Sequence, residues 1–329
     1  MNKEKLVEII NQNFNFQVQS FRQLSLGADA DSAVFRAASA DGKNYFVKLR
    51  TANFEPTSVS LQAALSAAGT EQVISPVATV DEKIWLETSF GHLMVFPFVT
   101  GNDGYEQAIQ PEKMIEFGQV IRQVHAAEIP SLVRDALPRE RFDPSARLAL
   151  FSRLRVVGGV AFNEPIAIDT KKLLIEKETE IRELIKRAEG LAEKVKAKNL
   201  PFVVCHADLH AGNLLFLSNG ELRIVDWDTA ILAPAEKDLM YPGGALLASD
   251  MSPAEEERLF FEAYGSFNVD AEAIMYFRCE RIIQDIFEYC RELLDSTEGT
   301  LEERQQSLMY LKSNFEPGRT IDAAYRTGE

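Results

Sequence analysis

The segment from Cys205 to Asp228 constrains the fold and chemistry of this chain more than any other part of it. It reads CHADLHAGNLLFLSNGELRIVDWD and contains the spacing His-x-Asp-x-x-x-x-Asn, in which Asp208 precedes Asn213. The Ser-Asn-Gly tripeptide that follows lies between two short apolar runs and predicts a tight hairpin that leads to Asp226. An isolated His-x-Asp is common, and Asp and Asn often cap turns. The combination is far more specific, and it predicts a functional site at this loop and hairpin.

The residue types in this segment match the needs of phosphoryl transfer. That reaction requires a carboxylate that orients the acceptor hydroxyl and takes its proton, and oxygen ligands for the Mg²⁺ that accompanies the nucleotide. Asp208 is the candidate base, and Asn213 and Asp226 are the candidate metal ligands, because the hairpin would bring them together. A cation is also needed on the nucleotide phosphates. Lys48, in the apolar stretch Tyr45–Leu49, is the candidate for that role.

Two further segments are candidates for contact with the nucleotide. Residues 26–32 lie between two predicted strands, where a phosphate-covering loop is expected, and Ser32 with the neighbouring backbone amides is the candidate phosphate ligand. This stretch has a single glycine, unlike the glycine-rich loop of protein kinases. Phe96 and Phe98, in the stretch MVFPFV, are the candidates for flanking the adenine. Bulky apolar residues would suit an ordinary core equally well.

Hydrophobic periodicity divides the chain into two parts. Residues 1–98 are rich in strands, and residues 99–329 are mainly helical apart from the hairpin. We therefore predict an α+β protein with a small antiparallel β-sheet lobe, which would bind the nucleotide, and a larger helical lobe with the catalytic loop, metal site and substrate pocket. The expected hinge lies at about residues 96–101, and Gly101–Gly104 is the best linker candidate. We also predict a first strand over Phe21–Leu26 and one long helix over Ala167–Leu191.

Composition and charge restrict the possible partners. The net charge of −15 argues against a nucleic-acid partner, because phosphate backbones require a basic surface. Most of the acidic excess lies after residue 98, where it would attract a cationic ligand or simply keep the protein soluble. No apolar run is long enough for a membrane helix, and the N-terminus lacks the pattern of a signal peptide, so we expect a cytoplasmic protein. The three cysteines form no CxxC pair, which fits a reducing compartment.

These motifs resemble those of the aminoglycoside phosphotransferase family, and most of all those of its spectinomycin-modifying members. The resemblance extends over nearly the whole chain, in the stretches Tyr45–Leu49, Phe96–Phe98, Val204–Asn213, Ile224–Asp228, Leu232–Met240 and Glu262–Ile286. It implies a two-lobed protein-kinase-like fold and transfer of phosphate from ATP, with Mg²⁺, to a hydroxyl group of a small molecule. The implied acceptor is cationic, an aminocyclitol or aminoglycoside antibiotic such as spectinomycin. We expect a monomer or a weak dimer.

Four residues are candidates for contact with a cationic acceptor. Asp228 follows the candidate metal ligand by two residues, and His210 lies in the catalytic loop, where it would contact phosphate or substrate. The resemblance also points to Asp285 and Glu288, which share the polar face of a predicted helix. Such a face is commonly just solvated. If Asp285 or Glu288 lines the acceptor pocket instead, its negative charge would suit a cationic amino sugar.

The sequence departs from the kinase pattern in the small lobe, and it leaves other functions open. In protein kinases the strand lysine is paired with a helix glutamate, but Glu55 precedes the predicted helix Thr57–Ala68, which contains no acid.

One alternative is a metabolic kinase for choline, ethanolamine, homoserine or methylthioribose. Another is a non-catalytic pseudokinase that only binds nucleotide. A protein kinase is disfavoured, because neither a glycine-rich loop nor an activation-segment signature is found.

Overall fold

The computed structural model describes residues 2–24, 31–265 and 268–326. Contacts divide the chain into two units. The first draws on Met1–Ala108, Gln119–Pro138 and His206–Ile231, so the segment with the candidate base Asp208 packs with the N-terminal strands. The second draws on Ile109–Gly118, Arg139–Cys205 and Leu232–Glu329. The division into lobes at residue 98 stays a prediction.

A five-stranded antiparallel sheet is the main element of the first unit, with the strand order β1-β2-β3-β5-β4. The strands are β1 Val18–Gln23, β2 Ser32–Ser39, β3 Asn44–Arg50, β4 Leu86–Thr88 and β5 Gly91–Pro97. The β2–β3 hairpin turns at Asp41-Gly42, as predicted, and Gly42 has a φ of 82° that residues with a side chain rarely adopt. The helix α2, Pro56–Ala67, lies between the third and fourth strands in the chain, which confirms the predicted order of elements.

The first strand begins earlier than predicted. The expected span was Phe21–Leu26, whereas β1 is Val18–Gln23. It follows closely on helix α1, Lys3–Asn13, because the side-chain oxygen of Asn11 accepts a hydrogen bond of 2.8 Å from the Val18 N–H. A side-chain contact of this kind fixes the start of a strand without leaving a hydrophobic pattern in the sequence.

The two faces of this sheet have different neighbours, because side chains alternate along each strand. One face packs with α1 in a cluster of buried residues: Leu6, Ile10, Phe14, Phe16, Phe35, Ala37, Val47, Leu49, Leu93 and Val95. The opposite face carries Lys48, whose neighbours across the ladder are Val34 and Met94. Met94 and Phe96 pack there with Val59 of α2. Lys48 therefore lies on the face that α1 does not cover.

A smaller sheet holds the predicted hairpin and corrects the predicted linker. Its order is β6-β8-β9, with β6 Gly101–Asp103, β8 Leu214–Leu217 and β9 Leu222–Ile224. The stretch Gly101–Gly104, predicted as a linker, is thus mostly a strand that pairs with β8. A Cβ atom at Gly101 would lie 2.4 Å from the Phe216 carbonyl oxygen, so the glycine is needed for close approach of two backbones and does not mark flexibility.

The chain after residue 98 is mainly helical, as predicted. The remaining helices of the chain are α3 Pro111–Ala126, α4 Ser131–Ala136, α5 Ser145–Val157, α6 Pro165–Glu176, α7 Glu178–Ala197, α8 Glu236–Leu239, α9 Pro253–Tyr264, α10 Ala271–Cys290, α11 Leu301–Ser313 and α12 Thr320–Arg326. The strands β7 Phe202–Cys205 and β10 Ile231–Pro234 form a two-stranded sheet. The buried helix α10 packs against α5, α7 and α12, and a π-helical turn, Arg291–Asp295, follows it.

The single helix predicted over Ala167–Leu191 is wrong, because α6 ends and α7 begins at Lys177. Lys177 has φ −95° and ψ 7°, and its ammonium pairs with Glu180 at 2.8 Å. Apolar residues keep helical spacing on both sides, so a one-residue break leaves no trace in the periodicity. Within the described ranges, no helix combines the length and the apolar character needed to span a membrane.

All three cysteines of the chain are buried free thiols. Burial raises the pKa of the Cys279 and Cys290 thiols to about 12, and it raises the pKa of Cys205 well above its usual range. Thiols in apolar surroundings stay protonated and react slowly. The cysteines therefore belong to the core of the protein.

Candidate active site

The loop that carries Asp208 is held by a buried histidine. His206 is fully buried; its Nε2 donates to the Val225 carbonyl at 2.9 Å, and its Nδ1 accepts from the Asp208 N–H at 3.2 Å. These two bonds require a neutral ring with its proton on Nε2. Ala207, between them, has a left-handed φ of 69°, which is uncommon for a residue with a side chain. His206 therefore fixes the backbone that presents Asp208 to the site.

Asn213 lies directly against Asp208. Its Nδ2 donates to the Asp208 carbonyl oxygen at 2.7 Å and lies 3.5 Å from Asp208 Oδ2. The side chain is buried, and the orientation of its amide leaves Oδ1 as the atom that can take a further ligand. Asn213 thus couples the position of the candidate base to that of a candidate metal ligand.

The β8–β9 hairpin brings Asp226 next to Asn213. Val225 N–H donates to the Asn213 carbonyl at 3.0 Å, and Asp226 follows with a left-handed backbone at φ 62° and ψ 65°. The next residue, Trp227, is fully buried; its indole N–H donates to Ile224 O at 3.1 Å. The Asp226 side chain is 55% exposed, so its carboxylate is accessible to a ligand. The buried Trp227 side chain therefore anchors this turn, and the Asp226 carboxylate beside it stays exposed.

Lys48 reaches the same place from strand β3. Its Nζ lies 2.7 Å from Asp228 Oδ2 and 3.7 Å from Asp226 Oδ1. Glu55, at the N-terminus of α2, makes no ion pair with Lys48 in the described part of the chain. The structure thus brings Lys48, Asp208, Asn213 and Asp226 together in the first unit. The ion-pair partner of Lys48 is Asp228, which lies in the turn after β9.

Two polar residues of this cluster were missed in the sequence. Arg50 lies two residues after Lys48, and its Nη2 is 3.6 Å from Asp228 Oδ2. Ser58, on α2, places its hydroxyl 3.5 Å from Asp228 Oδ1. The period of two along a strand could have identified Arg50, because residues i and i+2 share a face. No signal in the sequence relates Ser58 to a residue so far along the chain. Ser32, a predicted phosphate ligand, accepts a hydrogen bond of 3.1 Å from Arg50 Nη1.

His210 lies beside the candidate base. Its Nδ1 accepts from the Gly212 N–H at 3.0 Å, and its Nε2 lies 3.6 Å from Asp208 Oδ2. The ring of Tyr105 stacks over it at a centroid distance of 6.0 Å. His210 thus contacts both the loop backbone and the Asp208 carboxylate.

Phe96 and Phe98, the predicted adenine contacts, differ in burial and in their neighbours. Phe96 is 8% exposed and belongs to the core cluster with Met94 and Val59. Phe98 is half-buried, and the guanidinium of Arg36 lies 4.7 Å from the centre of its ring. Phe98 therefore has the more accessible ring.

The remaining predicted residues lie elsewhere. Residues 26–30, which include most of the predicted phosphate loop and the predicted end of the first strand, are outside the described residues. Asp285 and Glu288 are on α10 in the second unit. Asp285 pairs with Arg281 at 2.9 Å, and Glu288 pairs with Arg291 at 2.8 Å.

The charge of the cluster suits a divalent cation and a polyphosphate. The carboxylates of Asp226 and Asp228 lie close to the Lys48 ammonium, and Asp228 also lies close to Arg50. The Asp208 carboxylate lies beside Asn213 and His210. Carboxylate and amide oxygens bind hard cations such as Mg²⁺, whereas the lysine and arginine bind phosphate oxygens. The arrangement can hold a metal–nucleotide complex next to a general base.

Comparisons with known proteins agree with this chemistry. The family model described as APH, phosphotransferase enzyme family, matches residues 20–275. A search of curated proteins found no match. Among solved structures, spectinomycin phosphotransferase APH(9)-Ia, in complex with ADP and spectinomycin, is similar to this chain with a TM-score of 0.88 and 27% identity over 98% of both chains. Its AMP-bound complex matches with a TM-score of 0.84 and 26% identity over 99% of both chains.

More distant structures share only the fold. The macrolide 2′-phosphotransferase MphH from Brachybacterium faecium is 17% identical with a TM-score of 0.55, over 95% of this chain and 98% of its own. These likenesses confirm the expected protein-kinase-like α+β fold. Since the family model covers more than half of the chain, the protein is a phosphotransferase that acts on an alcohol group, and it belongs to the APH phosphotransferase enzyme family.

Proposed function

We propose that this chain uses ATP and Mg²⁺ to phosphorylate a hydroxyl group of a small cationic molecule, an aminocyclitol or aminoglycoside antibiotic such as spectinomycin. The cluster of Lys48, Asp208, Asn213 and Asp226 carries this proposal. Lys48 lies 3.7 Å from Asp226, and Asn213 is hydrogen-bonded to Asp208. These are the base, the metal ligands and the phosphate-binding cation that nucleotide-dependent phosphoryl transfer requires.

In the proposed reaction the acceptor hydroxyl lies against Asp208. The Asp208 carboxylate orients the hydroxyl and takes its proton as the oxygen bonds to the γ-phosphorus and the bond from phosphorus to the bridging β,γ-oxygen breaks. ADP leaves with the electron pair of that bond. The Lys48 ammonium stabilises the negative charge on the phosphates. His206 keeps the base in place through the hydrogen bond from the Asp208 N–H.

Asn213 and Asp226 fit a Mg²⁺ ion by donor chemistry. The Asn213 amide nitrogen is directed to Asp208, which leaves Oδ1 for a metal, and the Asp226 carboxylate is exposed. A site with one carboxylate and one amide oxygen suits Mg²⁺, which usually completes its shell with water and substrate phosphates. When bound, the ion would neutralise charge on the phosphates of the nucleotide.

The nucleotide would lie on the face of the sheet that carries Lys48. On this face Ser32 and Arg50 present polar groups at one end of the strands, and Phe96 and Phe98 lie near the other. We assign Ser32 to the phosphates and Phe98 to the adenine, with Phe96 supporting it from the core. Residues 1–98 would then form the nucleotide lobe, and residues 99–329 would supply the catalytic loop, the metal site and the acceptor pocket.

The acceptor assignment rests on likeness and charge. The solved structure with 27% identity holds ADP and spectinomycin. A net charge of −15 favours a cationic ligand over an anionic one. We assign His210, Asp285 and Glu288 to the acceptor side. Ethanolamine and choline kinases share the fold at 14–16% identity, so amino alcohols belong among the compounds to be tested.

Mass spectrometry of candidate acceptors tests the proposed function directly. The purified chain is incubated with ATP and Mg²⁺ and with spectinomycin, aminoglycosides, choline, ethanolamine, homoserine or methylthioribose. The expected result is a gain of one phosphate on an aminocyclitol or aminoglycoside. Asp208→Asn is the matched control; it should bind ADP normally and lose about 100-fold or more of the transfer rate. Phosphorylation of another acceptor alone would refute the antibiotic assignment, and a fully active Asp208→Asn would refute the role of the base.

A further inference from the structure

Asp228 contacts three side chains of the cluster. Its Oδ2 lies 2.7 Å from Lys48 Nζ and 3.6 Å from Arg50 Nη2, whereas its Oδ1 lies 3.5 Å from Ser58 Oγ. The two carboxylate oxygens thus have different partners, which restricts rotation of the group. The side chains of Lys48 and Asp228 are only 19% and 30% exposed, so their attraction is partly shielded from solvent. This contact therefore fixes the ammonium more firmly than an exposed ion pair would.

The helix that follows the lysine strand offers no acid. In protein kinases this lysine pairs with a glutamate of that helix. Helix α2, PTSVSLQAALSA, contains no acidic residue, and Glu55 before it has no ion pair with Lys48 in the ranges described. The helix contributes the buried Ser58, and the acid comes from a residue 180 positions after the lysine. Lys48 therefore contacts α2 indirectly, through Asp228 and Ser58, and does not pair with a glutamate of the helix.

We propose that Asp228 is the positioning residue for Lys48, and that with Ser58 it connects α2 to the turn after Asp226. Asp228 supplies the negative charge that the helix lacks, and its contact with Ser58 makes the position of the lysine depend on the position of α2. Arg50, held by Ser32 at 3.1 Å, is the second cation on the same carboxylate. The inference rests on the proposed function and places Asp228 on the nucleotide side of the site, not on the acceptor side.

Asp228→Asn keeps the shape of the side chain and removes its charge. ADP release from ATP is measured at saturating Mg²⁺, both without an acceptor and with a saturating acceptor. We expect kcat to fall by about tenfold or more in both reactions, because misplacement of a catalytic group by about 1 Å costs up to about 100-fold. The acceptor KM and the half-saturating Mg²⁺ concentration should stay within about twofold of the wild type. Glu55→Gln is the matched control and should behave as the wild type.

A relocated carboxylate tests the same role independently. In the double variant Asp228→Ala with Ser58→Glu, the longer glutamate on α2 extends toward the space that the aspartate leaves. A positioning role predicts that this variant recovers about tenfold of the kcat lost in Asp228→Ala, since the negative charge is restored beside Lys48. Thermal unfolding checks that each variant is folded. If the double variant does not fold, the result for Asp228→Asn alone tests the positioning role.

Three results would overturn the inference. An unchanged kcat of Asp228→Asn with a raised acceptor KM would assign Asp228 to the acceptor. A raised half-saturating Mg²⁺ concentration with an unchanged kcat would make it a metal ligand. A folded double variant with no gain over Asp228→Ala would show that the charge beside Lys48 is not what matters. A wild-type chain that neither binds ADP nor releases it from ATP would instead refute the proposed function itself.

Discussion

Replacement of Glu280 by glutamine should change how the stability of the second unit depends on pH. Glu280 lies on the buried helix α10, and its Oε1 is 3.0 Å from Arg147 Nε, with side-chain exposures of 8% and 3%. Neither of these two atoms has a hydrogen bond among the residues that the structure describes. Burial raises the pKa of Glu280 from 4.5 to about 7, against the opposing effect of Arg147; the charges of Glu140, Lys237 and Asp143 contribute less than burial.

The sign of the effect follows from proton binding. Because the pKa is higher in the folded state, the folded protein binds the proton more tightly than the unfolded chain does. This contribution to the free energy of unfolding is complete below pH 4.5 and is lost as the pH rises through about 7. Between about pH 5 and pH 8 the expected loss is about 2 to 3 kcal/mol. Glu280→Gln lacks the titrating group, so it should lack this loss.

Urea unfolding at about pH 5 and pH 8 measures the effect, with the wild type compared with Glu280→Gln. The difference in unfolding free energy between the two proteins should shift by about 2 to 3 kcal/mol across this range, with the wild type relatively more stable at the lower pH. Glu262→Gln, an exposed carboxylate in the same unit, is the control and should leave the pH dependence unchanged. An identical pH dependence of Glu280→Gln and the wild type would show that burial does not hold Glu280 protonated.

Three further changes test the site and the fold. Lys48→Met should lower kcat by about 100-fold or more and weaken ADP binding, because it removes the cation on the phosphates; calorimetry with ADP and the rate of ADP release check this, and a normal kcat would contradict the assignment. Asp285→Asn should raise the acceptor KM by about fivefold and leave acceptor-free ATP turnover nearly intact; an unchanged KM would remove Asp285 from the acceptor pocket. Gly101→Ala should destabilise the protein by about 2 kcal/mol or more, because its Cβ would lie 2.4 Å from the Phe216 carbonyl oxygen; an unaltered denaturation midpoint would contradict the close approach of β6 and β8.

The candidate catalytic segment was predictable because its geometry is local. Asp208, Asn213 and Asp226 lie within one loop and one hairpin, and the Asn-Gly turn specifies how the hairpin folds back. Lys48 was identified by its place in an apolar strand, and the structure puts it beside Asp226. Their roles in catalysis stay predictions until the variants are measured.

The partner of Lys48 could not be predicted, because it depends on packing between distant segments. Nothing in the residues near Lys48 indicates that Asp228 would be its partner or that Ser58 would reach the same carboxylate. Glycine was ambiguous in a different way. At Gly101 it serves a close backbone contact, but in a sequence the same residue also indicates a flexible linker. Local pattern cannot separate these two uses.

The burial of all three cysteines has a practical consequence for experiments on this enzyme. Since no native thiol is accessible, and the pKa of both Cys279 and Cys290 is about 12, maleimide dyes should leave the unmodified folded protein unlabelled. A single cysteine introduced at an exposed position can then carry a fluorophore or a spin label without prior removal of the native ones. Nucleotide binding can thus be followed by spectroscopy in an otherwise wild-type chain.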